Sequence, residues 1–125
     1  MNNSLEIQRP SAAGSFSISS RRLEDGILVA LSGEIDLKTA PVAEDELQRA
    51  EQSESRIVLD LAEVSFMDST GLRMVIAADQ RLRERGGSLR ILHVAPQVSR
   101  LFELVGISEH LNIEAGQKTR LDGQV

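Results

Sequence analysis

The segment that most constrains the fold is Arg56-Ile57-Val58-Leu59-Asp60-Leu61, a short, almost wholly apolar run bounded by charge. Such a run reads as a central strand buried on both faces, which needs a strand on each side and helices to cover it. A helical pattern follows from Ser69 or Thr70 to Arg85, with Leu72, Val75, Ile76 and Leu82 at helical spacing and Gly86-Gly87 as its stop. The next strand is Ser88 to Leu92. Strand, helix and strand in this order form a parallel crossover, so the chain belongs to the α/β class.

The flanking segments complete the sheet. Phe16, Ile18 and Leu23 stand among polar residues, and after Asp25-Gly26 comes Ile27-Leu28-Val29-Ala30-Leu31, which predicts an antiparallel hairpin with a second strand ended by Gly33. Thr39 and Pro41 suit the start of a first helix with Val42, Leu47 and Ala50 as its apolar face and Glu44, Asp45 and Glu46 crowding its start. Pro96 opens a third helix with Val98, Leu101, Phe102 and Val105 along one face, ended by Gly106, and Ile107, Leu111 and Ile113 supply a last turn and strand. The expected architecture is a mixed sheet of four to five strands that starts with a hairpin and is flanked by three to four helices. Residues 1–14 hold only Leu5 and Ile7 as large apolar side chains and read as a flexible leader; 15–115 form the domain, and 116–125 a polar tail.

Composition removes whole classes of chemistry. Among 125 residues there is no Cys, no Trp and no Tyr, which excludes disulfides, thiol catalysis and cysteine-ligated metals. A net charge of -5 argues against general binding to a phosphate backbone, and three Phe make a poor platform for stacked bases. No apolar run is long enough to cross a bilayer, so the expectation is a cytoplasmic protein with protein or small-molecule partners and neither nucleic acid nor membrane among them.

In open α/β sheets, function collects where strands end and helices begin, beside exposed N–H groups and the positive end of the helix dipole. Here that junction reads Phe66-Met67-Asp68-Ser69-Thr70-Gly71-Leu72, with oxygen-bearing side chains on three consecutive residues. Capping alone accounts for one of them, since Asp, Ser and Thr are all favoured caps. Two further polar residues and a glycine exceed that need. Gly71 in the first turn costs up to about 1 kcal/mol relative to Ala, and leaves the surface beside Ser69 low enough for another protein to approach.

The same residues resemble the phosphorylation motif of the anti-sigma-factor antagonists, the regulators that define the STAS domain family. Leu31-Ser32-Gly33-Glu34-Ile35-Asp36 with Thr39-Ala40-Pro41 is similar to that family's second strand and first helix, and Gly86-Gly87-Ser88-Leu89-Arg90-Ile91 and Val98 to Ile107 are similar to its later strand and helix. The likeness spans about Phe16 to Ile113. It implies a STAS-like fold and a non-enzymatic partner switch. The unphosphorylated protein would bind an anti-sigma factor, itself a serine kinase, and so release the sigma factor; phosphorylation at Ser69 would abolish binding, and a serine phosphatase would reset it. By the same likeness, Asp36, Asp68, Ser69, Thr70 and Gly71 would form the contact surface, with no cofactor and no metal. Relatives often carry serine where Thr70 stands, which keeps a second hydroxyl in view. The alternative within the fold is a non-phosphorylated STAS adaptor subunit of a lipid-transport or stress-signalling complex.

Other readings fall short of the residues they need. A two-component receiver would use Asp60 as phosphoacceptor, but requires an acidic pair at the end of its first strand and a lysine near its last, and the only lysines are Lys38 and Lys118. Asp68-Ser69-Thr70-Gly71 resembles the aspartic-protease signature with one residue too many and without a second lobe. Hydrolase chemistry lacks a Gly-x-Ser-x-Gly elbow, and the two histidines, His93 at a strand end and His110 in a polar turn, read as surface residues. Arg73, Arg81, Arg83 and Arg85 read as the solvated face of a helix, with a role facing an acidic partner as the alternative.

Overall fold

The computed structural model describes residues 7–8, 16–108 and 110–114. Strand β1 is the two-residue piece Ile7–Gln8; β2 is Ser17–Leu23, β3 Gly26–Ile35, α1 Ala40–Ser53, β4 Arg56–Met67, α2 Ser69–Glu84, β5 Ser88–Leu92, α3 Pro96–Leu104 and β6 Asn112–Glu114. The sheet order follows the chain from β1 to β6. Strands β1, β2 and β3 pair antiparallel, and β3, β4, β5 and β6 pair parallel. The mixed sheet of five strands β2 to β6, its opening hairpin and the three helices are those expected from sequence. Part of the expected leader extends this sheet, because Ile7 and Gln8 stand opposite Ser20 and Ser19; the rest of the leader and the polar tail lie outside the described residues.

Alternation places Ile27, Val29 and Leu31 of β3, Ile57, Leu59 and Leu61 of β4, and Leu89 and Ile91 of β5 in one buried cluster. Helix α1 adds Ala43, Leu47 and Ala50, α2 adds Leu72, Val75, Ala78 and Leu82, and α3 adds Val98 and Phe102. The opposite sheet face is not buried throughout. Val58 is covered there, but Asp60 is half-exposed and the Ser17–Ser32 and Arg90–Glu114 pairs are open to water. The central strand is therefore apolar mainly on the face that packs against the helices.

Four local details differ from the sequence expectation. The hairpin turn is Glu24-Asp25, and Gly26 is already paired with Leu23. A Cβ on Gly26 would stand 2.4 Å from the Arg56 carbonyl oxygen, so this glycine serves close approach of β4. Gly33 does not end β3; it holds φ 92 inside it, where the pairing with β4 is irregular. β4 itself continues six residues beyond Leu61, to Met67. Helix α3 stops at Leu104, which leaves Val105 outside it and 48% exposed.

Three of the four arginines on α2 tie the helix to acidic partners. Arg81 bridges α1 and α2 through Glu44 at 2.7 Å and the buried Glu51 at 2.7 Å. Arg85 also reaches Glu51, and Arg83 holds Asp79 at 3.0 Å and the His110 carbonyl. The solvated-face reading holds for Arg73, Arg83 and Arg85, all exposed, and fails for the half-buried Arg81; Arg73 alone of the four makes no ion pair among the described residues.

Candidate functional site

Strands β3 and β4 finish side by side because β4 carries two extra residues. Ala30 lies opposite Asp60 and Ser32 opposite Glu63; Gly33 lies opposite Val64 and Glu34 opposite Phe66. Each of these steps advances β4 by one more residue than β3, which is how a β-bulge works. Ile35 is then level with Met67, and the Asp68 amide donates to the Ile35 carbonyl at 3.1 Å. The next residue in each chain direction is an aspartate, Asp36 after β3 and Asp68 after β4.

The two aspartates organise their loops in the same way. Asp36 Oδ1 accepts from the amides of Lys38 at 3.0 Å and Thr39 at 3.1 Å. Asp68 Oδ1 accepts from the amides of Thr70 at 2.8 Å and Gly71 at 3.2 Å, which caps α2. Thr39 stands at the α1 N-cap position as expected, but its hydroxyl makes no cap; it donates to the Glu34 carbonyl at 2.7 Å and accepts from the Asp36 amide. Hydrogen bonding keeps both carboxyls below the usual carboxylate range, led for Asp36 by the Thr39 amide and for Asp68 by the Thr70 hydroxyl. Each aspartate is thus a carboxylate acceptor committed to its own loop.

The hydroxyls at Ser69 and Thr70 are in different states. Thr70 Oγ1 donates to Asp68 Oδ1 in a short hydrogen bond, and the residue is half-buried. Ser69, the first residue of α2, is exposed, and among the described residues nothing hydrogen-bonds its Oγ. Gly71 is buried beneath them, and a Cβ there would meet Met67 Cγ at 2.6 Å and Ile35 Cγ2 at 2.8 Å. The glycine is what lets the first turn of α2 sit down on the ends of β3 and β4.

The structure brings Asp36, Asp68, Ser69, Thr70 and Gly71 to one corner of the domain. It adds two residues that the sequence analysis did not single out, Leu37 at 72% exposure and Phe66 at 48%, which flank the aspartates. Leu37 also borders a groove of about 300 Å³ between α1 and α2, together with Pro41, Glu44, Thr70, Arg73 and Met74. The sequence signal for Leu37 was its apolar character in the Asp36-to-Thr39 loop, outside any strand alternation. Among the described residues no cluster of His, Asp or Glu is suited to a metal ion. His93, in the left-handed region at φ 53, faces Asp60 at 3.4 Å, apart from any serine contact described, and among the described residues no helix is long and apolar enough to cross a membrane.

Fold and site together define a class: an α/β domain whose exposed serine heads a helix beside paired aspartate loops. The STAS domain family matches residues 17–119, and the chain belongs to that family. It is 33% identical over 92 residues to the anti-sigma-B factor antagonist of Bacillus subtilis, covering 74% of this chain and 84% of the relative. To the protein of the same name in Listeria monocytogenes it is 37% identical over 91 residues, covering 72% and 80%. The crystal structure of an anti-sigma factor antagonist from Mycobacterium paratuberculosis superposes with a TM-score of 0.73 at 27% identity, covering 83% of this chain and 89% of that one.

Proposed function

We propose that this chain is an anti-sigma-factor antagonist, a cytoplasmic binding protein and not an enzyme, switched by phosphorylation of Ser69. The unphosphorylated form binds an anti-sigma factor that is also a serine kinase and so frees the sigma factor. Transfer of the γ-phosphoryl group of ATP to Ser69 Oγ, with release of ADP and a proton, ends that binding, and a serine phosphatase restores it. The observation that carries this reading is the contrast between Ser69 Oγ, exposed and without a described hydrogen bond, and Thr70 Oγ1, committed to Asp68.

The contact surface in this reading is Asp36, Asp68, Ser69, Thr70 and Gly71. A phosphate adds about -1.5 to -2 charges and three acceptor oxygens. At the head of a helix the dipole tolerates that charge, so the fold need not change. A partner carboxylate about 4 Å away is repelled by roughly 4 kcal/mol per charge pair at an effective dielectric of 20. A 100-fold loss of affinity needs only about 2.7 kcal/mol. Repulsion at the contact is therefore enough, and Asp36 and Asp68 already make the patch acidic.

The test is a pull-down from lysate of the source organism with wild-type, Ser69→Ala and Ser69→Asp baits, joined to phosphopeptide mapping after reaction with the captured kinase. An ATP-binding anti-sigma factor held by wild type and Ser69→Ala but lost with Ser69→Asp, and phosphate on Ser69, is the expected result. If all three baits capture the same proteins, Ser69 acts only structurally and the chain is an adaptor. Phosphate mapped to Thr70 or Ser65 would overturn the site.

A further inference from the structure

Resting on the phosphoserine reading and deepening it, we infer that Arg73 is a built-in receptor for the phosphate on Ser69. Ser69 and Arg73 are one helical turn apart on α2 and both exposed. Long side chains on a helix lean toward its N-terminus, so an arginine at i+4 covers the surface around residue i. Arg73 lines the groove with Leu37 and with Thr70, the neighbour of Ser69 in the first turn, as well as with Met74 and Ala77 farther along the helix.

Arg73 is also the arginine left over. Arg81, Arg83 and Arg85 on the same helix are engaged by Glu44, Glu51 and Asp79, whereas Arg73 makes no ion pair or hydrogen bond among the described residues. The amides of Thr70 and Gly71, which would otherwise receive an anion at this helix start, are taken by Asp68 Oδ1. A dianion on Ser69 thus meets two occupied donors and one free guanidinium, whose planar fork suits phosphate oxygens. The charges around it are the carboxylates of Asp36 and Asp68, the exposed Lys38 in the Asp36 loop, and Glu44 across the groove, whose Oε2 is held by Arg81 and Gln48. The carboxylates favour the phosphate monoanion, and Arg73 favours the dianion.

Capture of the phosphate by Arg73 draws the side chain toward the first turn of α2, at the Thr70 end of the groove. Phosphorylation then changes this corner twice: it adds charge beside Ser69 and engages the one α2 arginine that makes no ion pair among the described residues.

The experiment uses the full chain with phosphoserine encoded at position 69 during synthesis, so that no kinase is needed. The second ionisation of the phosphate is followed by ³¹P NMR in the parent, Arg73→Lys and Arg73→Gln proteins, each first shown by thermal melting to be folded. The expected result is a phosphate that titrates about half a unit lower with Arg73 than with Arg73→Gln, Arg73→Lys lying between. The difference should shrink in about 1 M salt. Identical titrations for Arg73 and Arg73→Gln overturn the inference. A kinase that modifies a different residue would sink the phosphoserine reading while leaving this titration to decide the role of Arg73.

Discussion

The amide of Asp68 donates to the carbonyl of Ile35 at 3.1 Å, and this bond joins the two loops that make the candidate site. It is the last rung between β3 and β4. Beyond it each strand releases an aspartate that ties down its own loop, so the surface of Asp36, Leu37, Asp68 and Ser69 is held by main-chain geometry. A partner meets a surface already shaped, which keeps the ordering cost of binding low.

Gly71→Ala should destabilise the fold. The substitution gains up to about 1 kcal/mol in helix propensity. Against that, the new Cβ would stand 2.6 Å from Met67 Cγ and 2.8 Å from Ile35 Cγ2, and overpacking of this kind costs about 1–3 kcal/mol. Met67 can yield more easily than the branched Ile35, so a net loss of about 1 kcal/mol in urea denaturation is expected. A midpoint at or above that of the parent would show that the contact is relieved freely.

The Asp68 cap should give stability a defined acid dependence. Hydrogen bonds, first of all from the Thr70 hydroxyl, lower its carboxyl below the 3.8 of an unfolded chain. The stabilisation is therefore present above 3.8 and is lost as pH falls through the lower folded value. Asp68→Asn should lower stability at pH 7 by up to about 1 kcal/mol and remove this share of the acid sensitivity, leaving the share due to Asp36. Unchanged acid unfolding in Asp68→Asn would contradict the assignment.

Thr70→Val separates the two hydroxyls. Loss of the donation to Asp68 should cost about 1 kcal/mol of stability. Under the proposed function, intact mass after reaction with the kinase should still show one phosphate on Thr70→Val and none on Ser69→Ala. The reverse pattern would transfer the phosphoacceptor to Thr70.

Arg81 should matter for stability and not for partner choice. Removing it strands Glu51, 2% exposed, with only Arg85 at 3.9 Å as a remaining cation. An unpaired buried charge typically costs about 3–5 kcal/mol, and since Arg81 is itself 29% exposed the lower end of that range applies to Arg81→Met. Adding Glu51→Gln should recover most of the loss. Calorimetry on the single and double variants distinguishes this from an additive effect.

The sequence resolved the elements whose patterns are regular. Strand β5, Ser88–Leu92, was legible to the residue because charge and glycine bound it on one side and the helix proline follows on the other. The hairpin, the three helices and the corner that holds Asp68 to Gly71 were legible for similar reasons. The end of β4 was not, because its residues in the helix-facing core are Ile57, Leu59, Leu61, Val64 and Met67, spaced by two and then by three. A period of two cannot be followed through bulges. The ties of Arg81 and Arg85 were not legible because Glu44 and Glu51 lie on α1, distant in sequence, whereas Arg83 pairs with Asp79 on its own helix. The exposure of Leu37 and Phe66 depends likewise on where the strands stop.

The two bulges in β4 set a parity. Each extra residue reverses which side of the sheet the following side chains take, and two reversals cancel, so Met67 returns to the core as Ile57 began in it. A strand one residue shorter between Leu61 and Met67 would keep every letter of Asp68-Ser69-Thr70-Gly71 and hold its phase only by losing one of the bulges, and with it the local bend and twist that shape this corner. The message at this corner is therefore written in a residue count as much as in residue identities.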